Sequence, residues 1–469
     1  MRASLQSGLL LASLSAPFVD AERVLGAYIY SRHGDRTPKV FGNTALTVLG
    51  YREVFNSGSY YNGRYIAEDD STFHIQGISN STVKAKQISV TAPDDSVLQN
   101  SATGFMQGVY PPTSQNVDTL SNKTKQEAPL GGYQIVTVGT TDTNADSESS
   151  TWLQGSSGCS KATEYLDLEA STKDFYQSLA PVLKGAFAEK DMTFKNAYTI
   201  FDYLNVGRIH NETKPNVTDA QWIQLQSLAN NQQFNLAYNP SEADGVRAID
   251  GKVLAGEILS SLNDTVTGDG KFKLGVQFGS YGTFFSWFGI MQMPAQSVNF
   301  TGVVDYASTF AIELVTDESG TDFPSSDKIN VRFMFHNGTV SDSSEPTIYP
   351  MFGLPESEKV ISWSKFVSET KKVAITTDAE WCDVCGNTDG KCASSDSTDS
   401  TSASSSSSGG SSGGVSRPVA GVIGAMVTLA VILGLGALFF LVGGFTVAKR
   451  RKGGPEMSSA TAVTGDKKA

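Results

Sequence analysis

The chain has 469 residues, 39% of them hydrophobic and only 18% charged, a globular composition with a light charge load and length enough for about two to three units. Its formal net charge of −12 leaves no positive field to hold a nucleic-acid backbone, which argues against nucleic-acid binding. Four cysteines exclude a disulfide-dense miniature, and 16 prolines with 45 glycines are too few for a collagen-like or wholly disordered chain.

At the start, Arg2 precedes a short apolar stretch over 8–19, and Val19-Asp20-Ala21 has the small-residue pattern of a cleavage site. Residues 1–21 are therefore expected to be a secretory signal. The folded ectodomain is expected over 22–393. Residues 24–31 (VLGAYIYS) read as a buried strand that runs directly into Arg32-His33-Gly34-Asp35-Arg36-Thr37-Pro38. Between 171 and 262, the segments SLAPVLKGAFAEK, AQWIQLQSLANN and GKVLAGEILSSLN repeat apolar residues at three and four, the helical spacing. Residues 272–279 read as a second strand, and 329–335 alternate as a third before the Asn337-Gly338 turn. The expected fold is α/β with an inserted helical domain over roughly 160–262.

Cys382, Cys385 and Cys392 cluster near the end of the ectodomain, and Cys159 lies far upstream. No histidine stands near them to complete a zinc site, so two disulfides are expected, with three connectivities open. Seven Asn-x-Ser/Thr acceptors, at Asn80, Asn122, Asn211, Asn216, Asn263, Asn299 and Asn337, fit an exported chain. Residues 394–417 are almost entirely Ser, Thr, Gly and Asp and are expected to form a disordered stalk. Residues 418–448 are apolar over more than the roughly 20 residues a membrane helix needs, and Lys449-Arg450-Arg451-Lys452 follow at once. A single-pass topology with the ectodomain extracellular or lumenal and a cytoplasmic tail at 449–469 is expected. A lipid-anchor signal would end in the apolar run, whereas here a basic cluster and a polar tail follow it.

The chemistry concentrates in the loop after the first strand, where open α/β sheets place their ligand crevice. Two guanidiniums, Arg32 and Arg36, flank the His33 imidazole. Each guanidinium can donate paired hydrogen bonds to phosphate oxygens while an imidazole nitrogen attacks phosphorus. At these residues the sequence resembles the histidine acid phosphatase family, including its fungal phytase-like members, whose RHGxRxP signature RHGDRTP matches in full. LTVLGYREVFNSG, over 46–58, is similar to the family's LT..G..Q....G helix with Glu53 in place of Gln, and SATGFMQGVYPP, over 101–112, is similar to SA..F..GLYPP. The resemblance covers about 24–373. It implies a phosphoglycerate-mutase-like α/β core with a helical insert, and hydrolysis of phosphomonoesters through a phosphohistidine on His33 with Arg32 and Arg36 on the phosphate. No cofactor and no metal ion are called for.

The chain also departs from the family. No His-Asp or His-Glu pair exists, since His33, His74, His210 and His336 are followed by Gly, Ile, Asn and Asn, and Tyr281-Gly282 occupy the place where the pair belongs. The arginine of the family's STD..R..SA segment is missing from TAPDDSVLQNSA, over 91–102. The general acid is thus unassigned: Asp35, Asp94 and Asp95 are the nearest carboxylates. Lys84 and Lys86 are candidates to restore positive charge, with solvated surface lysines as the plainer reading. A positioned acid contributes roughly two to four orders of magnitude in rate. The expectation is a membrane-anchored phosphomonoesterase of altered or reduced activity, with a catalytically inactive phosphate-binding glycoprotein as the alternative.

Overall fold

The structure is a computed structural model that describes residues 22–67, 73–140, 159, 169–210, 216–241, 245–388 and 392. The chain divides into two units, 1–398 and 399–469, and every described residue belongs to the first. The signal at 1–21, the stalk, the span at 418–448, the tail and Asn211 lie outside the described residues. Among the described residues no helix is long and apolar enough to cross a membrane.

An eight-stranded sheet organises this unit. Its strands are β1 (Arg23–Arg32), β2 (Ile88–Ala92), β3 (Gly139–Thr140), β4 (Leu274–Gly279), β5 (Thr309–Thr316), β6 (Asn330–His336), β7 (Thr347–Tyr349) and β8 (Val360–Ser362). They lie in the order β8, β6, β5, β1, β4, β2, β3, with β7 also on β6. The β1–β4, β4–β2 and β2–β3 pairs are parallel, and β5 runs antiparallel to β1. Strand β1 sits at the centre and alternates its side chains between two cores. Tyr28 and Tyr30 face one apolar cluster with Phe284, Trp287 and Phe310; Ala27 and Ile29 face the other with Val54, Phe105 and Phe278.

Among the described residues, the layers around this sheet include the helices α1 (Val48–Tyr61), α2 (Ser96–Val109), α3 (Glu169–Ser178), α4 (Ala197–His210), α5 (Asp219–Ala237), α6 (Ile249–Thr267), α7 (Tyr281–Ile290), α8 (Trp363–Thr370) and α9 (Asp378–Cys385). Helices α1 and α2 supply the second cluster. Helix α6 presses on the other face, so closely that a Cβ on Gly26 of β1 would stand 2.8 Å from Thr265 and one on Gly275 of β4 2.7 Å from Ser261. The helix expected over 178–190 is not continuous. Pro181 sits in a single turn, Ala180–Leu183, and Gly185 at φ +102° ends the run before a short 3-10 turn at Glu189–Asp191.

The cysteines pair Cys159 with Cys385 and Cys382 with Cys392, which resolves the open connectivity. Both bonds anchor α9 in a small cluster with Val246, Ile249, Val253 and Trp381, pinning the end of the first unit's described chain beside the start of α6.

Candidate active site

Strand β1 delivers Arg32 and His33 to the carboxyl end of the parallel strands, with Arg32 paired in register to Gly279 at the end of β4. Two backbone approaches shape the loop that follows. A Cβ on Gly34 would lie 2.1 Å from the Gly50 carbonyl, and one on Gly50 would lie 2.1 Å from the Asp35 carbonyl. Only glycine at both positions lets the loop lie against the first turn of α1. Thr47 caps that turn, accepting from the Gly50 N–H at 3.0 Å while its hydroxyl donates to Asp35 Oδ2 at 2.6 Å.

His33, Asp35 and Arg36 are fully buried and Arg32 is 3% exposed. His33 Nδ1 lies 2.8 Å from the carbonyl oxygen of Gly34. A carbonyl only accepts, so this contact fixes the imidazole proton on Nδ1 and leaves the Nε2 lone pair for attack. The segment before β5 closes over the loop: Ala307 N–H donates to the His33 carbonyl at 2.9 Å, and the Tyr306 ring lies 5.6 Å from the His33 ring. Arg32 donates to the Val304 carbonyl. Its guanidinium lies over Tyr306 at 4.5 Å and over Tyr281 at 5.3 Å.

Arg36 is held differently. Its two terminal nitrogens reach the two oxygens of Asp202 at 3.2 and 3.0 Å, and Asp202 also accepts the Lys39 N–H at 2.9 Å. Tyr198, one turn earlier on α4, stands 3.5 Å from both Arg32 and Arg36 through its hydroxyl. Burial pushes the Tyr198 phenol above its ordinary range, and the Asp202 carboxylate adds to this. A cavity of about 510 Å³ opens on this group, lined among others by Arg32, Glu53, Tyr198, Asp202, Arg208 and Asp305. These side chains come from β1, α1, α4 and the segment before β5. Sequence reading missed Tyr198, Asp202, Arg208, Asp305 and Tyr306, which carry no local motif.

Tyr281 and Gly282, read as departures, stand in the first turn of α7. Tyr281 opens α7 just beyond the end of β4, packs 4.4 Å from Tyr198 and donates to Gln233 Oε1 at 3.1 Å. Asp95 caps α2 by accepting the Leu98 N–H at 2.9 Å, and Asp94 is exposed. Asp35 is tied to Thr47 and accepts from His210 Nε2–H at 2.7 Å. Lys84 and Lys86 are exposed ahead of the amino end of β2, the sheet edge opposite the loop, so they are solvated surface charges. Cations nearer the loop are Arg208, on the cavity wall, and Lys39, whose ammonium lies 5.6 Å from the Tyr281 ring.

Glu53, one turn along α1 from Gly50, accepts the Asp35 N–H at 2.8 Å. Burial pushes its carboxyl above the usual glutamate value, helped by the Asp35 and Asp305 carboxylates and opposed by the Asp35 N–H and by Arg32. Among the described residues no group of three or more His, Cys, Asp or Glu is arranged to hold a metal ion.

The sequence profile of the histidine phosphatase superfamily (branch 2) matches residues 39–336, beginning one residue after the RHGDRTP loop. Similar solved structures include a phytase of Klebsiella sp. ASR1, at 11% identity, 76% of this chain and 96% of that one, with a TM-score of 0.49. A phytase of Citrobacter braakii is 13% identical over 78% of this chain and 99% of its own, with a TM-score of 0.48. The multiple inositol polyphosphate phosphatase of Bifidobacterium longum, in complex with inositol hexasulfate, is 12% identical over 77% of this chain and 96% of its own, with a TM-score of 0.45. No curated protein is matched by sequence. With 298 of its 469 residues inside the profile (39 through 336), the chain belongs to branch 2 of the histidine phosphatase superfamily.

Proposed function

We propose that the protein is a phosphomonoesterase that carries the phosphoryl group on His33, built as a glycosylated ectodomain tethered to the cell membrane by one span at 418–448. The observation that carries the catalytic half is the His33 Nδ1 contact to the Gly34 carbonyl at 2.8 Å, in the residue that directly follows Arg32 on the cavity wall. With Nδ1–H donating, Nε2 attacks phosphorus and the bond to the leaving oxygen breaks. Gly34 then stabilises the positive charge on the phosphorylated ring. Water attacks the phosphohistidine, the N–P bond breaks, and orthophosphate leaves with the imidazole restored. Arg32 is placed to take charge from the phosphoryl oxygens, and its stacking on Tyr306 holds it in line.

The tether and the outward topology rest on the 1–21 signal, the apolar run and the Lys449 to Lys452 cluster. Asn80, Asn122, Asn216, Asn263, Asn299 and Asn337 are all exposed, which supports the glycan reading for them. The second reading, phosphate binding without turnover, draws its support from Tyr281-Gly282, which offer no carboxylic acid.

An activated aryl phosphate separates the two, since its leaving oxygen scarcely needs a proton. The full-length chain should hydrolyse it, and His33→Ala should reduce turnover to background. Vanadate binding without any His33-dependent aryl phosphatase activity would establish the binding-only reading. Protease applied to intact cells should remove the ectodomain, and a fully protected surface pool would refute the topology.

A further inference from the structure

If the chain turns over esters with ordinary leaving groups, a proton must reach the leaving oxygen, and the carboxylates near the His33 loop differ in how they are committed. Asp35 accepts from Thr47 and His210. Asp95 caps a helix, Asp94 is exposed, and Asp202 faces Arg36 with both oxygens. Asp305 lines the cavity but is exposed, with Oδ2 accepting from Asn337 Nδ2 at 2.9 Å. Glu53 is different on each count. It lines the same cavity as Arg32, it is half-buried, and one oxygen alone is anchored, by the N–H of a residue in the loop that carries His33.

We propose that Glu53 is the proton donor to the leaving oxygen of the phosphomonoester, in place of the acid absent at Tyr281-Gly282. The inference rests on the phosphohistidine reading above. In the protonated carboxyl, the carbonyl oxygen accepts the Asp35 N–H and the hydroxyl faces the cavity. As Nε2 of His33 bonds to phosphorus, the P–O bond breaks and the leaving oxygen takes the Glu53 proton to depart as an alcohol. The Glu53 carboxylate then takes a proton from the attacking water as the N–P bond breaks, so acid and imidazole both return to their starting forms. Burial, with Asp35 and Asp305 on either side, favours the protonated carboxyl, while Arg32 and the Asp35 N–H oppose it. Activity on alkyl esters should therefore fall as pH rises through the raised glutamate value.

The test compares glycerol phosphate with 2,4-dinitrophenyl phosphate on the full-length protein. Glu53→Gln keeps an oxygen to accept the Asp35 N–H, so vanadate inhibition should persist. It should lower kcat on glycerol phosphate by about 10²–10⁴-fold, lower that on the aryl ester less than tenfold, and erase the alkaline limb of the alkyl-ester pH profile. Glu53→Ala is the second variant, and formic acid should restore part of its alkyl-ester turnover. An equal fall on both esters, no fall on the alkyl ester, or a leaving-group-selective loss in Asp305→Asn instead would overturn the assignment to Glu53 while His33-dependent turnover stands. A wild-type chain inert on both esters would overturn the phosphohistidine reading itself, and this assignment with it.

Discussion

Asp202→Ala isolates the strongest electrostatic commitment in the site. Arg36 and Asp202 are 0% and 2% exposed, and the carboxylate spans both terminal nitrogens of the guanidinium. Removing it leaves a buried guanidinium with its chief counter-charge gone, and deprives the Lys39 N–H of its acceptor. Breaking a buried pair from one side costs about 3–5 kcal/mol. With an unfolding entropy of about 2.1 cal/mol/K per residue, a fold of roughly 350 residues would melt about 4–7 °C lower. Thermal unfolding of the purified variant beside wild type reads this directly. Orthophosphate, a dianion able to face Arg36 in place of the carboxylate, should raise the variant's midpoint more than that of wild type. A midpoint within 1 °C of wild type, about the spread of repeated scans and far below the shift worked above, would mean that the pair is solvated or dispensable. A large drop that phosphate leaves uncorrected would mean that Arg36 does not face the anion position.

Gly50→Ala should lower turnover and cost about 1–3 kcal/mol of stability, because its Cβ would meet the Asp35 carbonyl at 2.1 Å and push the His33 loop away; kinetics and melting on one preparation check both. Burial raises Glu257 from 4.5 to about 7, with Gln277 Nε2 donating to it at 2.6 Å. Its neutral form therefore adds stability below the unfolded value that is lost as pH rises through about 7, at most about 3 kcal/mol, and Glu257→Gln should flatten the midpoint between those pH values. Replacing both Cys159 and Cys385 by serine opens a bond spanning 226 residues, worth up to about 5 kcal/mol in the chain-entropy model, and should lower the melting midpoint more than opening Cys382–Cys392, which spans 10.

The sequence is most legible where chemistry is contiguous. Arg32, His33 and Arg36 follow one strand without a break, so their position at a strand end is encoded locally, and β1, β4 and β6 lie within a residue or two of the expected strands. That Tyr281-Gly282 follow a strand end was legible for the same reason, since the apolar run ahead of them forms β4. Asp202, Tyr198 and Arg208 come from a helix more than 160 positions beyond the loop, and only packing brings them to it. Glu53 was visible only as an odd exchange in a helix, since its value lies in burial against Asp35. Periodicity misled over 178–190, where apolar residues recur at helical spacing but Pro181 and Gly185 break the backbone. Disulfide connectivity depends on which cysteine of α9 faces the body, which spacing does not encode.

The two halves of the site have different structural parents. His33, Asp35, Thr47, Gly50 and Glu53 all belong to β1, α1 and the loop between them, joined by short backbone and side-chain contacts. Tyr198, Asp202 and Arg208 belong to α4, and reach the loop through Arg32, Arg36 and the cavity wall. Tyr281 on α7 packs against Tyr198 and under Arg32, so this position joins α4 to the end of β1 through aromatic and cation–π contact. A displacement of α4 would therefore disturb Arg36 and the anion-binding side, and would also reach Asp35, the anchor of Glu53, through His210. A Cβ at Gly282 would meet Ser280 Oγ at 3.5 Å, an ordinary contact, so crowding at that atom does not explain why the position is glycine. Under the proposal, an acid carried on α1 is tied by the Asp35 N–H to the loop that carries the imidazole it would serve, so the proton donor and nucleophile would be joined without a second acid on α7.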